Sequence, residues 1–387
     1  MPMLPGARSA RCRPTPQPMS SVTPRSRRRR FHRYGRWGST HRRHPPLGVA
    51  AAERRRAYAA SSIVVPGGAA IASGYRLRHT LTGVVVAVVL TYAAPAGMLE
   101  ACVASVLRAD AIDHLVVVDN GASAAVRLAT IDDARLEVLT TGENLGYAGG
   151  MNVGIRRALD AGGDFVLVLN DDLKVEPGVV PPLLAAMDDP HIGAVQPKLL
   201  LAGTDPPLVN SVGVELGRDG AGRDVGIGEP DGPAFAAGRE VLACTGGAVL
   251  LRRGLIDDTG GFDERYFLYY EDVDLALRGA AHGWRYRCEP AAVVHHHGSV
   301  STAHESVAGR SVYLRERNRL WVLFRHRPVA DIGRGVWLSM RRLRWAPRRV
   351  HARALFAGLL ASPPLVRDRL RQMHGFGRGR RSRTHRG

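Results

Sequence analysis

The chain of 387 residues is 45% hydrophobic, enough to bury a sizeable core, so disorder throughout is excluded. Its formal net charge of +19 points first to nucleic acid, but the charge is uneven. Residues 1 to 80 carry 17 basic and 1 acidic side chains, 81 to 308 carry 16 and 31, and 309 to 387 carry 21 and 3; an acidic centre between basic ends argues against a basic groove in the folded part and for ends that meet an anionic surface.

Residues 1 to 80, rich in Arg, Pro, Ser and Gly with the run Arg27 to Arg30, are expected to stay disordered. A solvated basic tail or an over-extended gene start is a plainer reading of them than a lipid- or nucleic-acid-binding arm. No apolar stretch follows the basic run at the spacing of a secretory signal. The cysteines Cys12, Cys102, Cys244 and Cys288 are far apart and form no C-x-x-C pair, so neither a disulfide framework nor a thiolate zinc site is indicated, and a reducing cytosol fits.

From Gly83 the texture changes. Val84 to Leu90 is a β-branched run typical of a buried parallel strand and too short to cross a bilayer. A helix is expected from about Ala96 to Ala109, then a strand Leu115 to Val118 ending at Asp119, a strand near Leu136 to Leu139, a Gly-rich turn, a helix from about Met151 to Ala161, and a strand Phe165 to Leu169. Strands alternating with helices predict a doubly wound α/β sheet over residues 81 to 308, with ligands beyond the carboxyl ends of the strands, where Asp119 and Asn170 to Asp172 lie. The Gly-, Asp- and Pro-rich residues 200 to 240 read as a long irregular connection that could fold over a substrate. Beyond Ser311 a helical pattern mixes Arg with apolar residues, as in Leu320 to Phe324 and Val336 to Leu338, and residues 309 to 387 are expected to form a basic helical extension lying on an anionic membrane. No stretch reaches the roughly 18 uninterrupted apolar residues of a spanning helix.

Four constellations carry chemistry. Asn170-Asp171-Asp172 brings paired carboxylates to a strand end, suited to a hard divalent cation that shares its shell with phosphates, or simply to a turn. Tyr269-Tyr270-Glu271-Asp272-Val273-Asp274 crowds three carboxylates at the start of an apolar-periodic helix, more than capping requires and suited to a general base. Val293 to Gly298 holds three imidazoles at the end of a strand-like run, of which alternation lets at most two share one site. Asn144 to Gly154 is a Gly-rich turn opening a helix, able to bring backbone close to a phosphate, although it matches neither the dinucleotide nor the P-loop fingerprint.

Taken in order, these segments resemble the family 2 glycosyltransferases with the GT-A fold, most closely their rhamnosyltransferase-like branch, over about residues 82 to 325. Leu90-Thr91-Tyr92 resembles the opening strand, with Ala93 where the family usually has Asn. Asp119-Asn120-Gly121-Ala122-Ser123 is similar to the D-N-x-S element whose Asp recognises the base, and Asn144, Gly146, Ala148, Gly150, Asn152 and Gly154 fill every fixed position of an N-x-G-x-A-x-G-x-N-x-G signature. Asn170-Asp171-Asp172 takes the place of the D-x-D metal motif. The resemblance implies that Thr91, Asp119, Asn144, Gly146, Asn152 and Asp171 serve the donor nucleotide and that Thr245, Gly246, Gly247 and Glu271 line the acceptor side. It further implies that Asp172 and His295, heading H-x-x-G-x-x-S with Gly298 and Ser301, hold Mg²⁺ or Mn²⁺, and that Asp272 is the base.

The implied reaction is inverting transfer of a sugar, with a leaning to rhamnose, from a nucleotide-diphosphate donor to a hydroxyl of a cell-envelope glycan or lipid-linked acceptor. The implied place is the cytoplasmic face of the cell membrane, held peripherally. A sugar nucleotidyltransferase is the alternative enzyme, but Thr91 to Glu100 lacks the Arg and Lys expected of its phosphate loop. A basic nucleic-acid-binding protein is the alternative outside enzymes; against it stands the acidic centre, so no specific nucleic-acid partner is expected and the tails would add only salt-sensitive affinity.

Overall fold

The computed structural model describes residues 83–121, 127–298, 305–344 and 347–370, with the side chains of 305–308 left out. The basic segment 1–80, Ala122, Ser123, Ser301 and the last 17 residues lie outside this range. The elements run in the order β1 (Val85–Thr91), α1 (Met98–Arg108), β2 (His114–Asp119), β3 (Leu136–Thr140), α2 (Gly146–Asp160), β4 (Phe165–Asn170), β5 (Leu173–Val175) and α3 (Val180–Ala185). There follow β6 (Ile192–Leu201), β7 (Val209–Ser211), β8 (Val214–Leu216), β9 (Gly222–Asp224), β10 (Arg239–Val241), β11 (Ala248–Arg252), α4 (Arg253–Thr259), α5 (Glu271–Ala281), β12 (Arg285–His296), α6 (Glu305–His326), α7 (Val329–Arg342) and α8 (Arg348–Leu360).

The main sheet has the order β10-β12-β6-β11-β4-β1-β2-β3, with β5 added to β12 and β7 to β6. Strands β4, β1, β2 and β3 run parallel, and β12 runs parallel to β6. Between β4 and β6, β11 is antiparallel to both. Every residue of β1 is buried, because alternate side chains feed two cores: Val85, Ala87 and Val89 meet Leu99, Cys102, Val103 and Val106 of α1, while Val86, Val88 and Leu90 meet Met151, Ile155 and Ala158 of α2. This is the both-faces burial expected of a parallel strand between helices.

The glycines after Asn144 do something other than form an open turn. The helix begins at Gly146, not near Met151, so Gly149, Gly150 and Gly154 lie inside α2. A Cβ on Gly154 would stand 2.2 Å from Val88 Cγ1, and one on Gly150 would stand 2.6 Å from Leu90 Cδ1. These positions let α2 lie directly on β1, and their sequence signal reports close packing.

Two further expectations are revised. Residues 200 to 240 contain β7, β8 and β9 and the start of β10, with β8 and β9 paired as a separate hairpin, so the segment is less irregular than its composition implies. The boundary placed at 308 falls within α6. There Leu320, Val322, Leu323 and Phe324, expected at a membrane interface, are buried against protein. Among the described residues no helix is long and apolar enough to cross a membrane.

Candidate active site

The sheet brings several sequence-distant segments to the carboxyl ends of β1, β2 and β4. Thr91 and Asp119 end adjacent parallel strands in register, and both are buried. Asn120 then clamps the turn before α2: its Nδ2 donates to the Gly146 carbonyl at 2.9 Å and to Asn144 Oδ1 at 3.3 Å, and its Oδ1 accepts from the Leu145 amide at 3.0 Å. Asn144 Oδ1 also accepts from the Gly146 amide at 2.8 Å.

At the end of β4, the Asn170 amide donates to the Gly247 carbonyl at 3.0 Å, joining the carboxylate pair to the loop that enters β11. Burial pushes the Asp171 carboxyl up to about 6, against hydrogen bonds from the Thr91 hydroxyl and the Tyr92 amide. Asp172 is 7% exposed. Its Oδ2 lies 3.1 Å from His296 Nε2, and its Oδ1 is buried without a hydrogen-bond partner.

The imidazole facing Asp172 is therefore His296, not His295. The register of β12 against β5 sets His296 opposite Leu173 and His295 opposite Lys174, and neighbouring residues of a strand point to opposite faces. His295 instead reaches Glu176, 3.2 Å away, at the surface. His296 Nδ1 lies 2.9 Å from Asn210 Oδ1 on β7. With Nδ1 donating to that oxygen, Nε2 is left beside the Asp172 carboxylate, in the place of a second ligand atom. The orphaned Oδ1 beside them is oxygen chemistry that suits a hard divalent ion. Among the described residues no group of three or more His, Cys, Asp or Glu is placed to hold a metal by itself.

A second group of carboxylates stands at the start of α5. Asp272 Oδ2 accepts from the Gly246 amide at 3.1 Å and Oδ1 from the Val273 amide at 2.7 Å. Burial pushes the Asp272 carboxyl up to about 6, opposed by those two amides and reinforced by the charge of Asp224. Glu271 is buried with Oε2 unpartnered; burial, then the Asp272 charge, drive its carboxyl well above the usual range, favouring its protonated form. Thr245 is fixed by its amide donating to Gln196 Oε1 at 2.9 Å. Gly246 leaves room for Tyr147, whose hydroxyl donates to its carbonyl. A mostly apolar cavity lined by Cys244, Phe262, Leu275 and Tyr286 lies beside Asp272.

The structure thus gathers Thr91, Asp119, Asp171, Asp172, Thr245, Gly246, Gly247, Glu271 and Asp272 around one strand-end region, and adds residues that sequence reading passed over. Asn210 and Gln196 belong to no motif. Asp224, on β9, interacts electrostatically with both Asp272 and His296, yet it sits in a stretch whose composition announced only a loop. Tyr147 stood within the Gly-rich signature at a variable position. Asn152, expected at the nucleotide, spends its amide elsewhere: Nδ2 donates to the Phe262 carbonyl at 2.8 Å and to Glu264 Oε1 at 3.1 Å, and Oδ1 accepts from the Phe262 amide at 3.0 Å. It pins α2 to the segment that leads toward α5.

Residues 86–258 match the model of glycosyl transferase family 2. Over 315 residues the chain is 32% identical to the N-acetylglucosaminyl-diphospho-decaprenol L-rhamnosyltransferase of Mycobacterium tuberculosis, an alignment that spans 76% of this chain and 98% of that one. The chain belongs to glycosyl transferase family 2. It is accordingly a glycosyltransferase, of the rhamnosyltransferase-like kind that its motifs resemble, and the nucleotidyltransferase alternative falls away. It is also 29% identical over 254 residues to the O-antigen biosynthesis protein RfbC of Myxococcus xanthus, covering 62% of this chain but 19% of that longer one. The fold is shared with a crystal structure of GalNAc-T7 with UDP, GalNAc and Mn²⁺, at a TM-score of 0.51 and 14% identity over 62% of this chain and 47% of that one.

Proposed function

We propose that this glycosyltransferase moves L-rhamnose, with inversion, from a nucleotide-diphosphate donor to a hydroxyl of a diphospholipid-linked amino sugar of the cell envelope. The observation that carries the mechanism is the setting of Asp272, partly buried at the first turn of α5, held by the Gly246 and Val273 amides and lifted by burial to about 6. A carboxylate so placed is charged near neutrality yet more basic than an exposed one, which suits taking the proton from an acceptor hydroxyl as its oxygen attacks the anomeric carbon. Burial and the Asp272 charge raise the Glu271 carboxyl and favour its protonated form, which leaves Asp272 as the base of the pair.

Thr91, Asp119 and Asp171 would meet the nucleotide at the strand ends, with Asn144 and Gly146 shaping the adjoining turn, and Thr245 to Gly247 would face the acceptor. Asp172 and His296 would hold a divalent cation, Mg²⁺ or Mn²⁺, which when bound neutralises charge on a departing diphosphate. The choice of sugar and acceptor is supported by the near full-length likeness to the mycobacterial rhamnosyltransferase.

A lipid-linked acceptor requires the enzyme to work at a membrane. Exposed Trp337 and Met340 on α7 and Phe356, Leu359 and Leu360 on α8 lie among the exposed Arg334, Arg341, Arg348, Arg349 and Arg353. Apolar side chains amid arginines suit a peripheral seat on anionic lipid at the cytoplasmic face. The test is release of dTDP from dTDP-L-rhamnose by the full chain with Mn²⁺ and N-acetylglucosaminyl-diphospho-polyprenol in anionic or neutral vesicles, each with and without EDTA. Acceptor-dependent, EDTA-sensitive release that is faster on anionic vesicles supports the reading. Release from UDP-galactose, UDP-glucose or GDP-mannose in its place would reassign the donor.

A further inference from the structure

Asp272 follows directly on a backbone segment held in an uncommon conformation. Phe267, Tyr269 and Tyr270 have φ angles of 67°, 71° and 71°, the left-handed region that bulky residues rarely enter and that persists only when the surroundings enforce it. The Leu268 amide donates to the Tyr266 carbonyl at 2.8 Å, closing a γ-turn of the strained hand. The segment contains no Gly, Asn or Asp to ease this, so the restraint comes from outside it.

One support is α2. Gly146, at φ +74°, lets the Phe267 carbonyl approach to where a Cβ would be 2.4 Å away, and the Ala148 amide donates to that carbonyl at 3.3 Å. The other is α6. Asn318 is completely buried, and its Nδ2 donates to the carbonyls of Tyr266 at 3.0 Å, Leu268 at 2.9 Å and Tyr269 at 2.7 Å. Its Oδ1 accepts from Arg317 Nε at 2.8 Å, which fixes the orientation of the amide, and Arg317 Nη2 donates to the Tyr266 carbonyl at 2.8 Å. One side-chain amide thus draws together three carbonyls of four consecutive residues immediately ahead of α5, its two N–H groups shared among them.

We propose that Asn318 is a positioning residue for glycosyl transfer, setting the path of residues 266 to 270 and through it the place of the Asp272 carboxylate at the head of α5. This rests on Asp272 as the base. The role is distinct from holding the C-terminal helices on, because three of its hydrogen bonds end on the backbone that leads into the base.

The test compares the full chain with Asn318→Leu, Asn318→Asp, Asp272→Asn and the double variants. Transfer from dTDP-L-rhamnose to N-acetylglucosaminyl-diphospho-polyprenol is resolved into kcat and KM, with dTDP affinity by calorimetry and folding by thermal denaturation. Misplacing a reacting group by about 1 Å costs on the order of 10²-fold, so kcat should fall by about 10- to 100-fold in the Asn318 variants while donor KM and dTDP affinity stay within about threefold. In the Asp272→Asn background the same substitutions should cost nothing further, since groups acting as a unit are not additive. Normal kcat in the Asn318 variants beside an inactive Asp272→Asn overturns the positioning role and leaves the base in place. An equal loss in both backgrounds, or failure of both Asn318 variants to fold, also overturns it. A fully active Asp272→Asn overturns the reading of the base itself.

Discussion

The two adjacent histidines of β12 offer a sharp comparison, since sequence resemblance assigns the metal to one and the register to the other. Replacing His296 by Ala removes the imidazole 3.1 Å from Asp172 Oδ2, beside an Oδ1 that already lacks a hydrogen-bond partner, and Asp172 is almost wholly removed from water. Loss of a group that ligates a metal or orients its ligand weakens metal affinity by about 10- to 100-fold, so the half-saturating Mn²⁺ concentration should rise by that factor. His295, by contrast, pairs with Glu176 with both side chains a third or more exposed, at 33% and 42%. Such a pair is worth about 0 to 1 kcal/mol, so His295→Ala should leave the Mn²⁺ requirement and the rate within about fivefold. The assay is nucleotide release from dTDP-L-rhamnose across a Mn²⁺ titration, with thermal denaturation to show that each variant is folded. A larger shift in His295→Ala, or an unmoved Mn²⁺ requirement in His296→Ala, would refute the argument from register.

Burial raises Asp272 to about 6 and the reaction needs its charged form, so kcat should rise with pH and level off above about 6, with about a tenth of the plateau left at pH 5; a plateau reaching down to pH 4.5 would contradict it. The same shift, shared by Asp171, has the opposite sign for stability. A carboxyl whose folded pKa exceeds its unfolded one contributes stability below the unfolded value and loses it as pH climbs through 6, so the ligand-free chain should melt at a higher temperature at pH 5 than at pH 7. Asp274→Ala should cost about 3 to 5 kcal/mol in urea denaturation, because it takes from Arg278 and His326 their carboxylate in the interior and leaves Arg325 to Asp263. Gly154→Ala drives a methyl to 2.2 Å from Val88 Cγ1 and 2.9 Å from Val118 Cγ2, and the overpacking, about 1 to 3 kcal/mol, should exceed the gain in helix propensity, which is about 1 kcal/mol.

What could be read from the sequence was whatever depends on local pattern. The run Val84 to Leu90 declared a doubly buried strand because no single-faced strand tolerates seven apolar residues in succession, and the strand-end Asp172 followed from Phe165 to Leu169 being just such a strand. Pairing register was not legible. Nothing in Val293 to His297 fixes which imidazole looks toward β5, and that one-residue choice decides between His295 and His296. The glycines of α2 were visible as a signature, but their reason lies in the distance to Val88 and Leu90 across the core, which no periodicity within the helix reports. Asn318 and Asp224 were invisible for the same cause, since each acts on residues about 50 positions away.

The charge distribution is also more divided than a count allows. Residues 309 to 387 read as a basic extension, yet several of their cations face inward. Arg319 is 2% exposed, donating to Glu316, Ser339 and the Gly335 carbonyl, and Arg342 joins it on Glu316. Arg325 and His326 converge on Asp274, where burial alone would raise the carboxyl but the His326 hydrogen bond and the guanidinium groups of Arg278 and Arg325 together hold it well below the usual range. Asp274 lies two residues beyond Asp272 on the same helical turn, with the Tyr266 hydroxyl on its other side at 3.1 Å. Part of the positive charge of the C-terminal region is therefore committed to fastening the helix that bears the base, and the exposed arginines of α7 and α8 are among those left to meet an anionic surface. A truncation ahead of α6 would remove both at once, so the two uses of the region can be separated only by substitution: exposed arginines for surface attachment, inward ones for turnover.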